Sequence, residues 1–133
     1  MNDLLSYSAV ELLAMLASRK LSPIELAEEH IRQIERLNPR LNALVDFDPD
    51  RVRAQAAALE RPGLQHGPLH GLPMTIKASI AVAGHRCETG SLINKGHIPT
   101  EDAVIVARAR QAGAVILGTT NCPEFLMAYE SDN

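Results

Sequence analysis

One lysine interrupts an otherwise apolar stretch of the sequence. The segment from Leu72 to Ile76 leads into Lys77, and residues 78–83 that follow carry no charge. A charged amine in apolar surroundings raises the free energy of the folded state unless it is paired, neutral or exposed. Desolvation also makes an ammonium lose its proton more easily, so a lysine in such a place can act as a general base. The simpler alternative is a strand-end lysine whose ammonium reaches water.

The histidines and cysteines are weaker candidates for chemistry than the lysine. Six of the seven histidines and cysteines lie from residue 66 onward, namely His66, His70, His85, Cys87, His97 and Cys122. His85 and Cys87 form the tightest pair, whereas zinc sites usually show more regular pairs such as C-x-x-C. Cys122 falls in the first turn of a predicted helix, which would lower its thiol pKa, but no base lies near it in the sequence. No glycine-rich phosphate motif is present either, so we expect no metal site and no cofactor.

The composition fits one globular domain. The chain has 133 residues, 46% hydrophobic and 22% charged, and its net charge of −3 comes without a basic run. This balance argues against a nucleic-acid surface. Two cysteines are too few for a disulfide framework, the start lacks a secretory pattern, and no apolar stretch approaches the roughly 18 residues of a membrane span. We therefore expect a cytoplasmic protein that contacts neither nucleic acid nor membrane.

Two helix-start signals mark the first part of the chain. Residues 8–11 and 22–25 have the Ser-x-x-Glu spacing of capping boxes, and apolar residues follow each of them at helical intervals. The pair Asn38-Pro39 is predicted to end the second helix. Residues 1–40 are therefore predicted to form a helical hairpin with one apolar face.

The rest of the chain alternates strand and helix patterns. The segments typical of strands are LNALVDF (41–47), LPMTIKA (72–78) and AVILGTT (114–120). Helices are predicted from Asp48-Pro49 to about Glu60, from 101 to 112 behind a Thr100 cap, and after Asn121, where Asn121 and Glu124 have capping-box spacing. Residues 84–99 are predicted to form a loop.

The second and third strands, with the helix between them, predict a βαβ unit and an α/β fold. The apolar second strand is typical of an interior strand of a parallel sheet. Lys77 would then lie at the carboxyl end of that strand, where α/β folds bind their ligands. Three strands are too few to complete such a sheet, which favours an incomplete domain over a small three-layer domain with a frayed tail.

Three segments resemble the amidase signature family of serine hydrolases. GPLHGLPMTIK (67–77) resembles the family's G-P-L-x-G-[IL]-P-x-x-[IVL]-K motif. DAVIVARARQAGAVILGTTNCPEF (102–125) resembles its segment around A-G-A-[VI]-[IL]-x-G-x-T-N. LSPIELAEEHIRQIERLNPRLNA (21–43) is similar to the helix pair with which these enzymes begin. The resemblance covers essentially the whole chain.

The resemblance implies a fold and a role for the lysine. It implies one partial domain over residues 1–133, in which the hairpin at 1–40 precedes the start of an α/β core at 41–133. That core would be the N-terminal part of a mixed, largely parallel sheet flanked by helices. Lys77 matches the lysine of a Ser–cis-Ser–Lys triad, in which a neutral lysine takes a proton from a bridging serine that deprotonates the nucleophilic serine.

The same resemblance assigns a binding segment and shows two departures from the family. Leu126 and Met127 match a region that lines the acyl pocket, and the alternative is a helix face that packs on the sheet.

Ala78 stands where the family commonly has an acidic residue, and Thr119 where a lysine is frequent. These departures leave the lysine assignment intact and make the substrate less certain.

The family's Gly/Ser-rich segment, which carries both catalytic serines, is absent from this sequence, and Ser79 and Ser91 match neither of them. We therefore expect an amidase that cleaves carboxylic amide C–N bonds, acts on a small-molecule amide, and is inactive as this isolated chain because Lys77 alone cannot run acyl transfer. The expected partner is the missing C-terminal part or a partner subunit. The alternatives are an amidotransferase A-type subunit that supplies ammonia for tRNA transamidation, and a non-catalytic remnant that binds a partner through apolar faces.

Overall fold

The computed structural model describes residues 4–61 and 67–131. Its helices are α1 (Ala9–Ala17), α2 (Pro23–Leu41), α3 (Pro49–Leu59) and α4 (Val104–Gln111). Its strands are β1 (Leu44–Phe47), β2 (Pro73–Lys77) and β3 (Val115–Thr120). Short 3-10 turns lie at Leu4–Ser6, Leu92–Asn94 and Glu124–Leu126. Within the two described ranges, no helix has the length and apolar character needed to cross a membrane.

Both capping boxes predicted in the first part of the chain are confirmed. The Ser8 hydroxyl accepts the Glu11 N–H at 3.4 Å, and the Glu11 carboxylate accepts the Ser8 N–H at 2.8 Å. Ser22 and Glu25 make the same reciprocal pair at 3.1 and 2.8 Å. Each box satisfies backbone donors that have no partner inside the helix. The two helices then pack through buried leucines, which are Leu12, Leu16, Leu21 and Leu26.

The prediction that Asn38-Pro39 ends α2 is wrong, because the helix continues to Leu41. A proline removes one helical hydrogen bond, yet the helix closes at Asn42, which has φ 48° and donates its N–H to the Asn38 carbonyl at 2.8 Å. The Asn38 side chain meanwhile donates to the Leu44 carbonyl at 2.9 Å and accepts the Leu44 N–H at 2.8 Å. Asn38 therefore ties the helix end to the first residue of β1.

The three strands form a mixed sheet in the order β1-β3-β2, with β1 antiparallel and β2 parallel to β3. This arrangement confirms the predicted α/β class with a mixed sheet flanked by helices. β3 is the central strand and is almost entirely buried. The prediction that β2 is an interior strand is wrong within the described residues. β2 lies at the sheet edge, and its residues are half-buried or exposed because only β3 pairs with it.

Helices cover both faces of the sheet. α2 and α3 pack on one face around a buried cluster that consists of Ala27, Ile31, Val52, Ala56, Val115 and Leu117. α4 packs on the other face around Val82, Val106 and Ile116. β3, the strand that follows the crossover helix, lies between these two layers and contributes buried residues to both clusters.

Bulges break the register of β3 with both neighbouring strands. On the β1 side, Leu44 lies opposite Thr120 but Asp46 lies opposite Thr119, so the extra residue there belongs to β1. Met74 lies opposite Ile116, but Thr75 lies opposite Gly118, so β3 has one extra residue at this point. Gly118 has φ 156°, and a Cβ there would lie 2.2 Å from the carbonyl oxygen of Asp46 on β1. Only glycine fits this close approach of the two strands.

Gln55 of α3 supplies hydrogen bonds beyond the end of β1. Its Oε1 accepts the Ile116 N–H at 3.1 Å, and its Nε2 donates to the Ile116 carbonyl at 2.9 Å. Oε1 also accepts from Nη1 of Arg110 at 2.8 Å. β1 ends at Phe47, opposite Gly118, so it cannot pair with Ile116. The side-chain amide of Gln55 bonds to the Ile116 backbone in its place.

The predicted start of α4 is wrong. The helix begins at Val104 rather than at residue 101, and its first turn has no side-chain cap, so Thr100 does not cap it. The Asp102 carboxylate instead accepts the Ala83 N–H at 2.8 Å and pairs with Nε of Arg110 at 2.9 Å. The Asp102 carboxylate therefore bonds to other elements rather than to the N-terminus of α4. The predicted end is confirmed, since Gln111 is the last helical residue.

Two backbone segments cross closely where the chain leaves α4 and where it enters β2. The Leu69 N–H donates to the Ala112 carbonyl and the Gly71 N–H donates to the Gly113 carbonyl, both at 2.8 Å. A Cβ at Gly67 would lie 2.4 Å from the Ala112 carbonyl oxygen. The crossing therefore leaves no room for a side chain at residue 67.

Candidate functional site

Lys77 is the last residue of β2 and lies opposite Thr120 of β3. Its neighbour Ile76 packs toward α4, and Lys77 itself forms part of the wall of a cavity of about 450 Å³ between α4 and β2. The Lys77 side chain is exposed, and its ammonium forms no ion pair with a described residue. The expectation that the apolar run desolvates this lysine is therefore wrong for the described part of the chain.

Cys122 lies near Lys77 but is not an activated thiol. It is 1% exposed, and burial raises the pKa of the Cys122 thiol, which the positive charge of Lys77 only partly offsets. The predicted lowering is wrong because the chain here forms only the turn Glu124–Leu126 and no α-helix. Burial, with a smaller effect of Cys122, also raises the pKa of the Cys87 thiol. Neither cysteine forms a disulfide, and both side chains are buried.

The predicted loop at residues 84–99 is confirmed, and it folds against the carboxyl ends of β2 and β3. The Thr89 N–H donates to the Ala78 carbonyl at 3.1 Å. The Thr119 hydroxyl donates to the Arg86 carbonyl at 3.3 Å. These contacts place the loop beside the strand end that carries Lys77.

The predicted helix after Asn121 is wrong. The Asn121 side chain accepts the N–H of the next residue, and the Glu124 carboxylate accepts from the Ser91 hydroxyl at 2.7 Å instead of capping a helix. Phe125 and Leu126 have φ values of 46° and 62°, which a continuing α-helix does not allow. A contact with the loop has therefore replaced the local capping box.

Leu126 and Met127 lie in this turn with 46% and 86% of their surface exposed. The alternative in which they form a helix face packed on the sheet is wrong. The preceding Phe125 N–H donates to the Thr89 carbonyl at 2.9 Å, so the two side chains sit next to the loop. They remain available to a ligand, but no described contact assigns them one.

A cavity of about 540 Å³ lies between the loop and the carboxyl ends of β2 and β3, and we term it the loop cavity. Its polar and charged lining consists of Asn42, Arg86, Glu88, Ser91, Lys95 and Asn121. Ala78, the residue after Lys77, also forms part of the wall. The loop cavity and the lysine therefore share one end of the sheet.

His85 contacts a carboxylate that no spacing in the sequence indicated. It is 3% exposed, and its Nδ1 lies 3.7 Å from Oδ2 of Asp46, which leaves this buried nitrogen without a hydrogen bond to a described residue. Burial lowers the pKa of His85; Asp46 opposes this change, Arg51 and Arg110 add to it, and Asp102 opposes it weakly. The imidazole is therefore held in its neutral form.

The remaining metal-type side chains do not converge. Within residues 4–61 and 67–131, no group of three or more His, Cys, Asp or Glu is arranged to hold a metal ion. His70 is buried beside the crossing of the backbone segments, and His66 lies outside the described residues.

Comparison with known proteins decides the family. The family model Amidase matches residues 25–133. The chain belongs to the amidase family. An acylamidase of Rhodococcus erythropolis is 45% identical over 120 residues, which cover 88% of this chain and 25% of that amidase. The A-type subunit of glutamyl-tRNA(Gln) amidotransferase from Acidothermus cellulolyticus is 38% identical over 136 residues, covering 100% of this chain and 27% of that protein.

Solved amidase structures share the fold described above. A peptide amidase from Stenotrophomonas maltophilia superimposes with a TM-score of 0.81 at 35% identity, covering 90% of this chain and 26% of that enzyme. A bacterial aryl acylamidase of the amidase signature family gives a TM-score of 0.78 at 29% identity, covering 90% of this chain and 26% of that enzyme. The chain thus spans about a quarter of the length of the amidases it matches.

Proposed function

We propose that this chain is the lysine-bearing, N-terminal part of an amidase that hydrolyses carboxylic amide C–N bonds, with Lys77 as the general base. One observation carries the proposal. The lysine that ends GPLHGLPMTIK lies at the carboxyl end of β2, directly before Ala78 of the loop-cavity wall, in a chain of the amidase family. This is the end of a parallel strand pair at which α/β folds bind ligands.

The proposed reaction needs groups beyond Lys77. Neutral Lys77 would take a proton from a bridging serine, which deprotonates a nucleophilic serine as that oxygen attacks the amide carbonyl. Ammonia or an amine leaves, and water releases the acid from the acyl-enzyme. Ser91 does not fill either serine role, because it is 5% exposed and its hydroxyl donates to Glu124. The serines would come from outside this sequence.

We further propose that the isolated 133-residue chain is inactive. A lysine serves as a base near neutral pH when its ammonium is desolvated, and Lys77 is exposed at an uncovered edge of β2. Another segment or protein chain that covers this edge would both desolvate Lys77 and supply the nucleophile. Amide hydrolysis by the purified chain that disappears in Lys77→Ala would contradict this proposal.

An exchange experiment tests the role of Lys77. The quarter of the Rhodococcus acylamidase that matches this chain is replaced by this chain, and amide hydrolysis is measured. We expect an active chimera in which Lys77→Ala lowers kcat by about a thousandfold, the size expected for loss of a general base. Lys20→Ala removes an exposed lysine after α1 and should leave kcat unchanged. A folded chimera whose activity survives Lys77→Ala would show that another group is the base.

A second candidate is an amidotransferase A-type subunit that supplies ammonia for tRNA transamidation. It is favoured by the relatives that carry this name, one of which matches 100% of this chain. The same exchange in the Acidothermus protein, assayed with its partner subunits, measures ammonia transfer to the charged tRNA. Ammonia transfer in this chimera, with no hydrolysis in the acylamidase chimera, would favour the second candidate.

A further inference from the structure

The loop cavity has the size and place of a small-molecule site. Its volume of about 540 Å³ falls within the range of roughly 300–1,000 Å³ found for ligand pockets. Ala78 and Asn121, which follow the ends of β2 and β3, both form part of its wall. A molecule in the loop cavity would therefore lie next to the strand end that carries Lys77.

The charged lining of the loop cavity favours an anion. Arg86 and Lys95 are its two cations, and Glu88 is its one carboxylate. The Glu88 carboxylate already accepts the Gly96 N–H at 2.7 Å through Oε1, and its Oε2 lies 3.9 Å from Nη1 of Arg86. Lys95 forms no ion pair with a described residue. The lining thus has one surplus positive charge and a guanidinium suited to bidentate carboxylate binding.

Hydrogen bonds hold the walls of the loop cavity in place. The Arg86 N–H donates to Oδ2 of Asp46 on β1 at 2.6 Å, so its backbone is fixed while its guanidinium stays on the surface. The Ser91 hydroxyl donates to the Glu124 carboxylate at 2.7 Å. A rigid, largely preformed site loses less entropy when a ligand binds.

We propose that the loop cavity binds a small-molecule carboxylate through Arg86 and Lys95. With the proposed function, on which this step rests, that carboxylate belongs to the substrate. The preferred substrates are then amides that carry an acidic group a few bonds from the scissile carbonyl.

A matched pair of probes tests the carboxylate without any turnover. Succinamate and succinamide share a carbon skeleton and an amide, but only succinamate carries a carboxylate. The intact 133-residue chain is titrated with each, and backbone amide NMR shifts report the Kd and the site. We expect succinamate to bind about tenfold more tightly, as one charge-assisted hydrogen bond implies. The shifts should centre on Ser91 and Asn121, and added salt should weaken succinamate binding alone.

Charge-removing variants identify the residues responsible. Arg86→Gln and Lys95→Gln should each raise the succinamate Kd about fivefold and leave the succinamide Kd unchanged. Lys20→Gln removes the same charge outside the loop cavity and should change neither value. The proposal would be overturned if neither probe bound or if both bound with the same Kd. It would also be overturned if the succinamate Kd were the same in Arg86→Gln, Lys95→Gln and the wild type.

Lys77→Ala separates this proposal from the proposed function. The variant should lose hydrolysis in the acylamidase chimera and keep succinamate binding in the isolated chain. An active, Lys77-dependent chimera without a preference for succinamate would overturn the carboxylate site alone. If succinamate binding were preserved and the chimera hydrolysed amides equally well with and without Lys77→Ala, only the catalytic role would be overturned.

Discussion

At the residue scale, His85 makes the stability of the protein depend on pH. Burial favours the neutral imidazole, so protonation costs more in the folded chain than in the unfolded chain. Because the folded-state pKa is lowered, the stabilising contribution is complete above the unfolded-state pKa of about 6.5. It is lost as the pH falls from there toward the lowered folded-state pKa. The Asp46 carboxylate reduces this loss without reversing it.

We expect the free energy of unfolding to fall as the pH is lowered from about 7.5 to about 5. Urea denaturation at each pH measures it. His85→Gln should give a flatter profile over the same interval, because the buried titrating group is gone. His97→Gln, which removes an exposed histidine, is the matched control and should keep the wild-type slope. Parallel profiles for wild type and His85→Gln would contradict the assignment to His85.

Single residues differ in how far the sequence predicts them. The position of Lys77 at a strand end follows from the apolar segment before it, since strand pattern is a local property. Its exposure depends on which strands flank β2, and no local pattern contains that information. The approach of His85 to Asp46 joins a loop to β1 across distant positions, so spacing gave no signal for it. The roles of Leu126 and Met127 remain predictions.

At the element scale, Gln55 replaces a strand in the hydrogen-bond ladder. Ile116 is fully buried, so its N–H and carbonyl need partners that water cannot supply. Gln55→Leu keeps the approximate volume and removes both partners. We expect it to lower the free energy of unfolding by about 2 kcal/mol, the cost of leaving buried backbone groups unsatisfied. Chemical denaturation at neutral pH measures the change.

Gln33→Leu is the matched control for Gln55→Leu. Gln33 is half-buried on α2, and its side-chain oxygen accepts from the Arg36 guanidinium at 2.5 Å. Its loss should change the free energy of unfolding by less than about 0.5 kcal/mol. Equal effects of the two substitutions would show that the Gln55 amide does not carry the ladder.

Helix starts show when a local signal suffices. Ser8 and Ser22 succeed as caps because both partners of each box lie within four residues and no other element uses them. Asn121 and Glu124 have the same spacing, but Glu124 bonds to Ser91 of the loop. Thr100 also does not cap a helix, and Asp102, two residues after it, bonds to Ala83 and Arg110. Competition from tertiary partners decides between these outcomes.

At the scale of the whole molecule, α4 and β2 present an apolar surface to solvent. Val104 and Ile105 are 68% and 66% exposed. A second cavity, of about 450 Å³, lies between α4 and β2 and is lined by Met74, Ile80 and Ile105 among others. The sequence of α4 carries apolar residues on several sides, and the structure shows which side packs and which does not. Exposed apolar surface of this kind binds hydrophobic dyes and promotes association.

We expect the purified chain to increase the fluorescence of the dye ANS under native conditions, and Ile105→Lys to reduce that increase by about half or more. The stability of the variant should change by less than about 0.5 kcal/mol, because the side chain is exposed. Val10→Lys places the same charge at an exposed position on α1, away from this surface, and should leave dye binding unchanged. An equal loss of ANS fluorescence in Ile105→Lys and Val10→Lys would show that this surface does not bind the dye.

The crossing of the backbone at Gly67 and Gly71 has a consequence for how this family is recognised. Gly67 is required because it lies against the main chain at Ala112, and Gly71 because it has φ 77° and lies against the side chains of Pro23 and Leu16. A descendant that had lost every catalytic serine would still need them to fold. The motif is thus inherited with the architecture, and Lys77 is the one residue in it for which we propose a role in catalysis.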